Sequence, residues 1–193
     1  MSKQAFYLKI VSELFKSGLI VLLTTFLWVL FYQLNIIVLY QATVSPMVSW
    51  IFLPAGIKVI TVIIFGELGV LGLFFGAIAT YYISNLNAGS PLLVAAISAS
   101  SPFVAIHVSK YVLKLNSFYT KLKGIHLWII SFIYAITNTL FHQLYYGVHM
   151  RNLVGFANNQ FAMFCGDLFG VLLLLFILSS GIKYLKFSYK KSN

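Results

Sequence analysis

The sequence predicts an all-α, polytopic integral membrane protein of six transmembrane helices, with the N and C termini both cytoplasmic. Three observations carry this expectation. Of 193 residues, 61% are hydrophobic and only 8% charged, where soluble domains carry about 25% charged residues. A bilayer-crossing helix needs about 20 apolar residues, and six apolar runs use nearly the whole chain as a single domain. The basic residues, finally, gather in alternate connections.

The first span, about 17–41, follows a basic start at Lys3, Lys9 and Lys16. Its length, and the lack of a small-x-small cleavage site, distinguish it from a secretory signal. Before it, Phe6, Leu8, Ile10, Val11, Leu14 and Phe15 alternate with Lys9, Glu13 and Lys16, which predicts a separate short amphipathic helix at the interface over 5–16. Spans two to six are read at about 47–66, 68–86, 91–109, 126–147 and 163–182.

Orientation follows from the loops. Lysines 110, 114, 121 and 123 flank one connection and lysines 183, 186, 190 and 191 the tail, whereas the opposite connections near 42–46, 87–90 and 148–162 carry only Arg151. Both termini and these lysines are therefore expected in the cytoplasm of a bacterial cell, the chain lying in the inner (plasma) membrane. The net charge of +10 is accounted for by orientation and by anionic lipid; it flanks apolar spans and forms no basic face for nucleic acid.

Ionisable groups within spans are costly and therefore informative, at about 2.5–3.5 kcal/mol each near the bilayer centre. Lys58 falls near the middle of span two, about 16 Å below its outer edge, and Asp167 about 6 Å below the outer edge of span six. Snorkelling brings the two into expected contact; Glu67, at the cytoplasmic turn, is the worse partner. Pro54 and Gly56 predict a kink in span two that frees a backbone carbonyl and lets a ligand or another backbone approach. Pro102 predicts another in span four. Asn138 and His142 share a face of span five at i, i+4. Pro54, Gly56, Lys58, Asn138, His142 and Asp167 are thus the candidates for a ligand-binding or switch site. Gly66, Gly69, Gly72 and Gly76, with Gly166 and Gly170, offer small surfaces for close helix packing.

No catalytic role is expected. Cys165, His142, His149 and Arg151 are the one set that could assemble a thiol, a base and an anion stabiliser, and no spacing fixes their geometry. Lone Cys165 makes no internal disulfide, the four histidines form no metal cluster by spacing, and no cofactor motif is present.

Two patches carry a resemblance. Phe52-Leu-Pro-Ala-Gly-Ile-Lys-Val-Ile-Thr-Val-Ile-Ile-Phe-Gly66, followed by Gly69-Val-Leu-Gly-Leu-Phe-Phe-Gly76, resembles the second- and third-helix region of the bacterial membrane-associated sensor (MASE-type) domain. Gly166-Asp-Leu-Phe-Gly170 looks like that family's closing glycine-aspartate-x-x-glycine helix. The resemblance covers Pro54, Gly56, Lys58 and Asp167 among the candidates. It implies a non-enzymatic sensor-like or accessory module acting through a membrane protein partner or larger complex, here with fewer spans and no output domain. The chain is also similar in size and span count to the solute-binding subunits of energy-coupling-factor vitamin transporters. That likeness implies a small-molecule ligand held by Pro54, Asn138, His142 and Asp167, although the alanine-x-x-x-alanine pattern of their first helix is absent from 17–41.

Overall fold

A computed structural model of the chain describes residues 3–45, 48–85, 89–115, 123–149 and 156–192. Helix α1 (Lys3–Val38) is 36 residues long. The interfacial helix expected over 5–16 is therefore not a separate element but the first turns of α1. The interval contains no proline, and Gly18 alone costs a helix interior only about 1 kcal/mol.

Beyond α1 the chain departs from the expected second span. Strand β1 (Thr43–Ser45) pairs antiparallel with β2 (Val48–Ser49), and helix α2 (Pro54–Phe65) has only 12 residues, about 18 Å of rise. Pro54 occupies the first turn, where its missing N–H has no intrahelical partner to lose. The kink expected within a continuous helix over 47–66 is thus not formed; a half-length helix starts there instead.

Its irregular approach is tolerated because protein satisfies the backbone. The Phe52 amide donates to the Gly166 carbonyl at 3.0 Å and the Trp50 amide to the Ala42 carbonyl at 2.8 Å. The Leu53 amide donates to Asn35 Oδ1 of α1 at 2.8 Å.

Gly66 closes α2 with φ 56° and ψ −127°, a left-sided backbone that glycine adopts without a Cβ penalty. Helix α3 (Glu67–Ile83, 17 residues) leaves at once in the reverse direction. Helices α4 (Pro91–Leu113), α5 (Gly124–His149) and α6 (Phe156–Ser192) follow. Pro102 lies inside α4 without ending it. The Ser98 carbonyl, deprived of its amide donor by the proline ring, lies 3.3 Å from the Ser101 hydroxyl. Four helices, α1, α4, α5 and α6, are long and apolar enough to cross a membrane.

Side-chain pairings fix the helix directions. Thr25 of α1 donates to the Gly72 carbonyl at 3.0 Å, and Trp28, one turn on, donates to Thr80 at 3.2 Å, so α1 and α3 run parallel. Tyr81 near the end of α3 donates to the Gly89 carbonyl before α4 at 2.7 Å. The Ser90 amide at the start of α4 meets the hydroxyl of Tyr145 near the end of α5 at 3.0 Å. Gly166 lies beside Ser49 and Gly170 beside Phe52, with Leu174 beside Gly56, so α6 runs with α2. Helices α1, α3 and α5 therefore point one way and α2, α4 and α6 the other.

Lys9, Lys16, Lys110, Lys114 and Lys123 consequently sit at one end with the Gly66 turn, where the C-terminal turns of α6 also arrive. Strands β1 and β2, with residues 84, 85, 89 and 90, occupy the other end. Lys121 and Arg151 lie outside the described residues, as do the side chains of Lys3, of His149 and of the four tail lysines.

Candidate functional site: a buried polar layer

Buried polar side chains are set into an apolar core. Trp28, Leu73, Val59, Ile106, Ile130 and Val171 are almost fully buried. Among them lie Lys58 at 2% exposure, Asp167 at 1%, Asn138 at 3% and His142 at 5%. Burying such groups unsatisfied in an apolar medium is expensive, so their partners define what the layer is.

Helix α5 presents Asn138 as a bridge. Its Nδ2 donates to Asp167 Oδ2 on α6 at 2.6 Å, and its Oδ1 accepts from the Ser101 hydroxyl on α4 at 2.6 Å. Three helices are thus tied by one amide, whose donor and acceptor ends are both used. The Asp167 end is charge-assisted when the carboxylate is ionised, which makes it the stronger of the two.

Lys58, in the second turn of α2, takes a different partner. Its Nζ stands 5.0 Å from the centroid of the Trp28 ring, within range of a cation–π attraction. Trp28 is held in place by its hydrogen bond to Thr80 of α3 and by edge contact with Phe52, centroids 6.3 Å apart. Gly76 makes room for it, since a Cβ there would lie 2.6 Å from Trp28 Cδ1.

The expected direct contact of Lys58 with Asp167 is not made: no Nζ–carboxylate ion pair joins them, and each rests on its own neutral partner. Both groups lie in the buried interior, where unlike charges attract over longer distances than they do in water. Depth alone suggests a pairing; Asn138 and Trp28, nearer to hand, take the two groups instead. The Tyr134 hydroxyl on α5 is buried without a hydrogen-bond partner. The layer thereby draws on all six helices.

The candidates named from sequence divide accordingly. Lys58, Asn138, His142 and Asp167 come together in the layer. Pro54 and Gly56 do not supply polar groups to it; Pro54 starts α2, and Gly56 lets α6 approach, since a Cβ there would meet Leu174 Cβ at 2.7 Å. Gly72 and Gly76 receive Thr24 and Trp28 of α1, Gly69 abuts the Thr61 carbonyl, and Gly166 and Gly170 lie directly on the carbonyls of Ser49 and Phe52. Gly66 has open space around it and serves its backbone angle alone.

Tyr134, Trp28, Thr80 and Asn35 belong to the layer or its support and are not singled out by sequence reasoning, and Ser101, which reads in the sequence as a small packing residue of span four, is a hydrogen-bond donor to Asn138. Asn35 carries a usable signal, an amide within an otherwise apolar run that must find a partner in hydrocarbon. Cys165 is half-buried on α6 as a free thiol, and His107 and His126 lie towards the lysine-bearing end, away from the layer. Among the described residues no three His, Cys, Asp or Glu side chains gather as metal ligands. The chain matches no family model and has no significant match among curated proteins or solved structures.

Proposed function

We propose that this protein is a non-enzymatic, sensor-like or accessory module of the bacterial inner membrane. It crosses the bilayer six times, keeps both termini and its lysine-bearing end in the cytoplasm, and acts through a partner membrane protein. The alternating helix directions and the gathering of lysines at one end support the topology. Helix α2 with its hairpin forms the second crossing; 17-residue α3 completes the third with only its short flanks.

One observation carries the functional reading: Lys58 and Asp167, groups of opposite charge, are both almost fully buried and yet form no ion pair with each other. A closed ion pair would merely lock α2 to α6. An open pair can change partners when helices shift, so that movement at one face of the bundle is felt at another. The MASE-type resemblance supports the same reading, because the two resembling patches, about a hundred residues apart in sequence, lie against each other along the α2–α6 seam.

The test is extraction in mild detergent with identification of stoichiometric membrane partners, for the native chain and for Lys58→Met and Asp167→Asn. The reading expects a partner that the native chain retains and the folded variants lose. A lone, fully functional monomer contradicts it. A second reading, the solute-binding subunit of a vitamin transporter, is favoured by the convergence of an ammonium, a carboxylate, an amide and an imidazole in one layer. It expects a metabolite to raise thermal stability as RT ln(1 + [L]/Kd); no shift across a panel of vitamins contradicts it.

A further inference from the structure

The N-terminal turns of α1 extend past the bundle. With Thr24 against Gly72 and Trp28 against Gly76 in the parallel α1–α3 seam, the register brings Gly18 level with the Gly66 turn, where α3 begins. Residues 3–17 therefore project about 22 Å beyond the end of α3 at helical rise. Their apolar side chains are open, with Leu8 67%, Val11 62%, Leu14 68% and Phe15 67% exposed.

At 100° per residue these four and Ile10 cover a face about 160° wide, with Lys9, Ser12, Glu13 and Lys16 on the other side. That arc is broader than the narrow a/d seam through which two helices would coil. It suits immersion in a continuous apolar medium. The polar side carries Lys9 and Lys16 against Glu13, which pairs with Lys16 at 2.8 Å, and is basic by one net charge. Lys110, Lys114 and Lys123 stand at the same end of the bundle. Ser17-Gly18 is a natural joint, of the kind at which helices kink, and a Cβ at Gly18 would meet nothing within 4 Å.

We infer that residues 3–17, continuous with α1 in the structure, bend at Ser17-Gly18 when the chain sits in a bilayer and bind its anionic inner surface, apolar face among the acyl chains and lysines at the phosphates. The occupant of this face is lipid, and the inference stands apart from the role of the polar layer. The arm anchors α1 to the leaflet that carries negative lipid, so movement of α1 over α3 is coupled to the membrane surface.

The experiment places single spin labels at Val11, Leu14, Ser12 or Glu13 in the full chain carrying Cys165→Ala. The protein is reconstituted in phosphatidylcholine bilayers with and without phosphatidylglycerol. Labels at 11 and 14 are expected to be reached by oxygen and shielded from an aqueous nickel reagent, and labels at 12 and 13 the reverse. The contrast should grow with phosphatidylglycerol, and that growth should be lost in Lys9→Gln/Lys16→Gln. Equal aqueous access at all four positions, or short distances between label-11 sites on two copies, would overturn the inference.

Discussion

Asn138 donates its amide to the Asp167 carboxylate at 2.6 Å while the same side chain accepts from Ser101. Asp167 therefore spends its shortest contact on a neutral residue of α5 and not on the lysine of opposite charge. Replacing Asn138 by Leu removes both bonds; the Ser101 hydroxyl can turn to the Ser98 carbonyl 3.3 Å away, whereas the buried Asp167 carboxylate loses its donor. The expected loss is about 1–3 kcal/mol in detergent unfolding, with Asn138→Gln failing to restore it because the longer amide cannot sit at both distances.

The two buried charges should behave as a coupled pair even without contact. Lys58→Met leaves the carboxylate uncompensated and Asp167→Asn leaves the ammonium so; each is expected to destabilise. The double variant should fall short of the sum by about 0.5–3 kcal/mol, the range for residues sharing a network. Strict additivity in the unfolding free energies would mean the charges do not act on each other.

Close packing of α6 on the hairpin segment makes a graded prediction. Alanine at Gly166 or Gly170 drives a methyl into a backbone carbonyl that cannot rotate away, and is expected to cost about 3 kcal/mol, the upper end for overpacking. Gly56→Ala meets the Leu174 side chain, which can shift, and should cost less. Gly18→Ala meets nothing and should be neutral or stabilise by up to about 1 kcal/mol. Thermal unfolding of the four variants ranks them.

Pro54 distinguishes a helix start from a kink. As the first residue of α2 it can be replaced by Ala at a cost of under about 1 kcal/mol; a kink inside a continuous helix would straighten and disturb its packing. Asn35→Ala, by contrast, removes the acceptor for the part-buried Leu53 amide and should cost about 1–2 kcal/mol, as for a lost helix cap.

Much of the bundle is legible in the sequence because hydropathy reports length. Apolar runs place α4, α5 and the membrane-facing part of α6 near their observed positions, and the expense of burying charge singles out Lys58 and Asp167 by residue type and depth. Hydropathy does not tell a helix from a hairpin over 47–53, since Val48, Trp50, Ile51 and Phe52 are apolar in either form. The first-turn preference of proline is the signal that α2 begins at Pro54. Partners are illegible for another reason. Depth along each helix is countable, but rotation about its axis is not, and rotation decides that Asp167 meets Asn138 and that Lys58 meets Trp28.

The topology underlies each of these proposals and is open to direct measurement. Single cysteines at Tyr40, Asn85, Glu67 and Lys114, in a chain carrying Cys165→Ala, can be exposed to a membrane-impermeant maleimide in intact cells and again after lysis. Positions 40 and 85 should be modified in intact cells, and positions 67 and 114 only after lysis. Modification of Lys114→Cys or Glu67→Cys from outside, or protection of both 40 and 85, would contradict six crossings with a cytoplasmic lysine-bearing end.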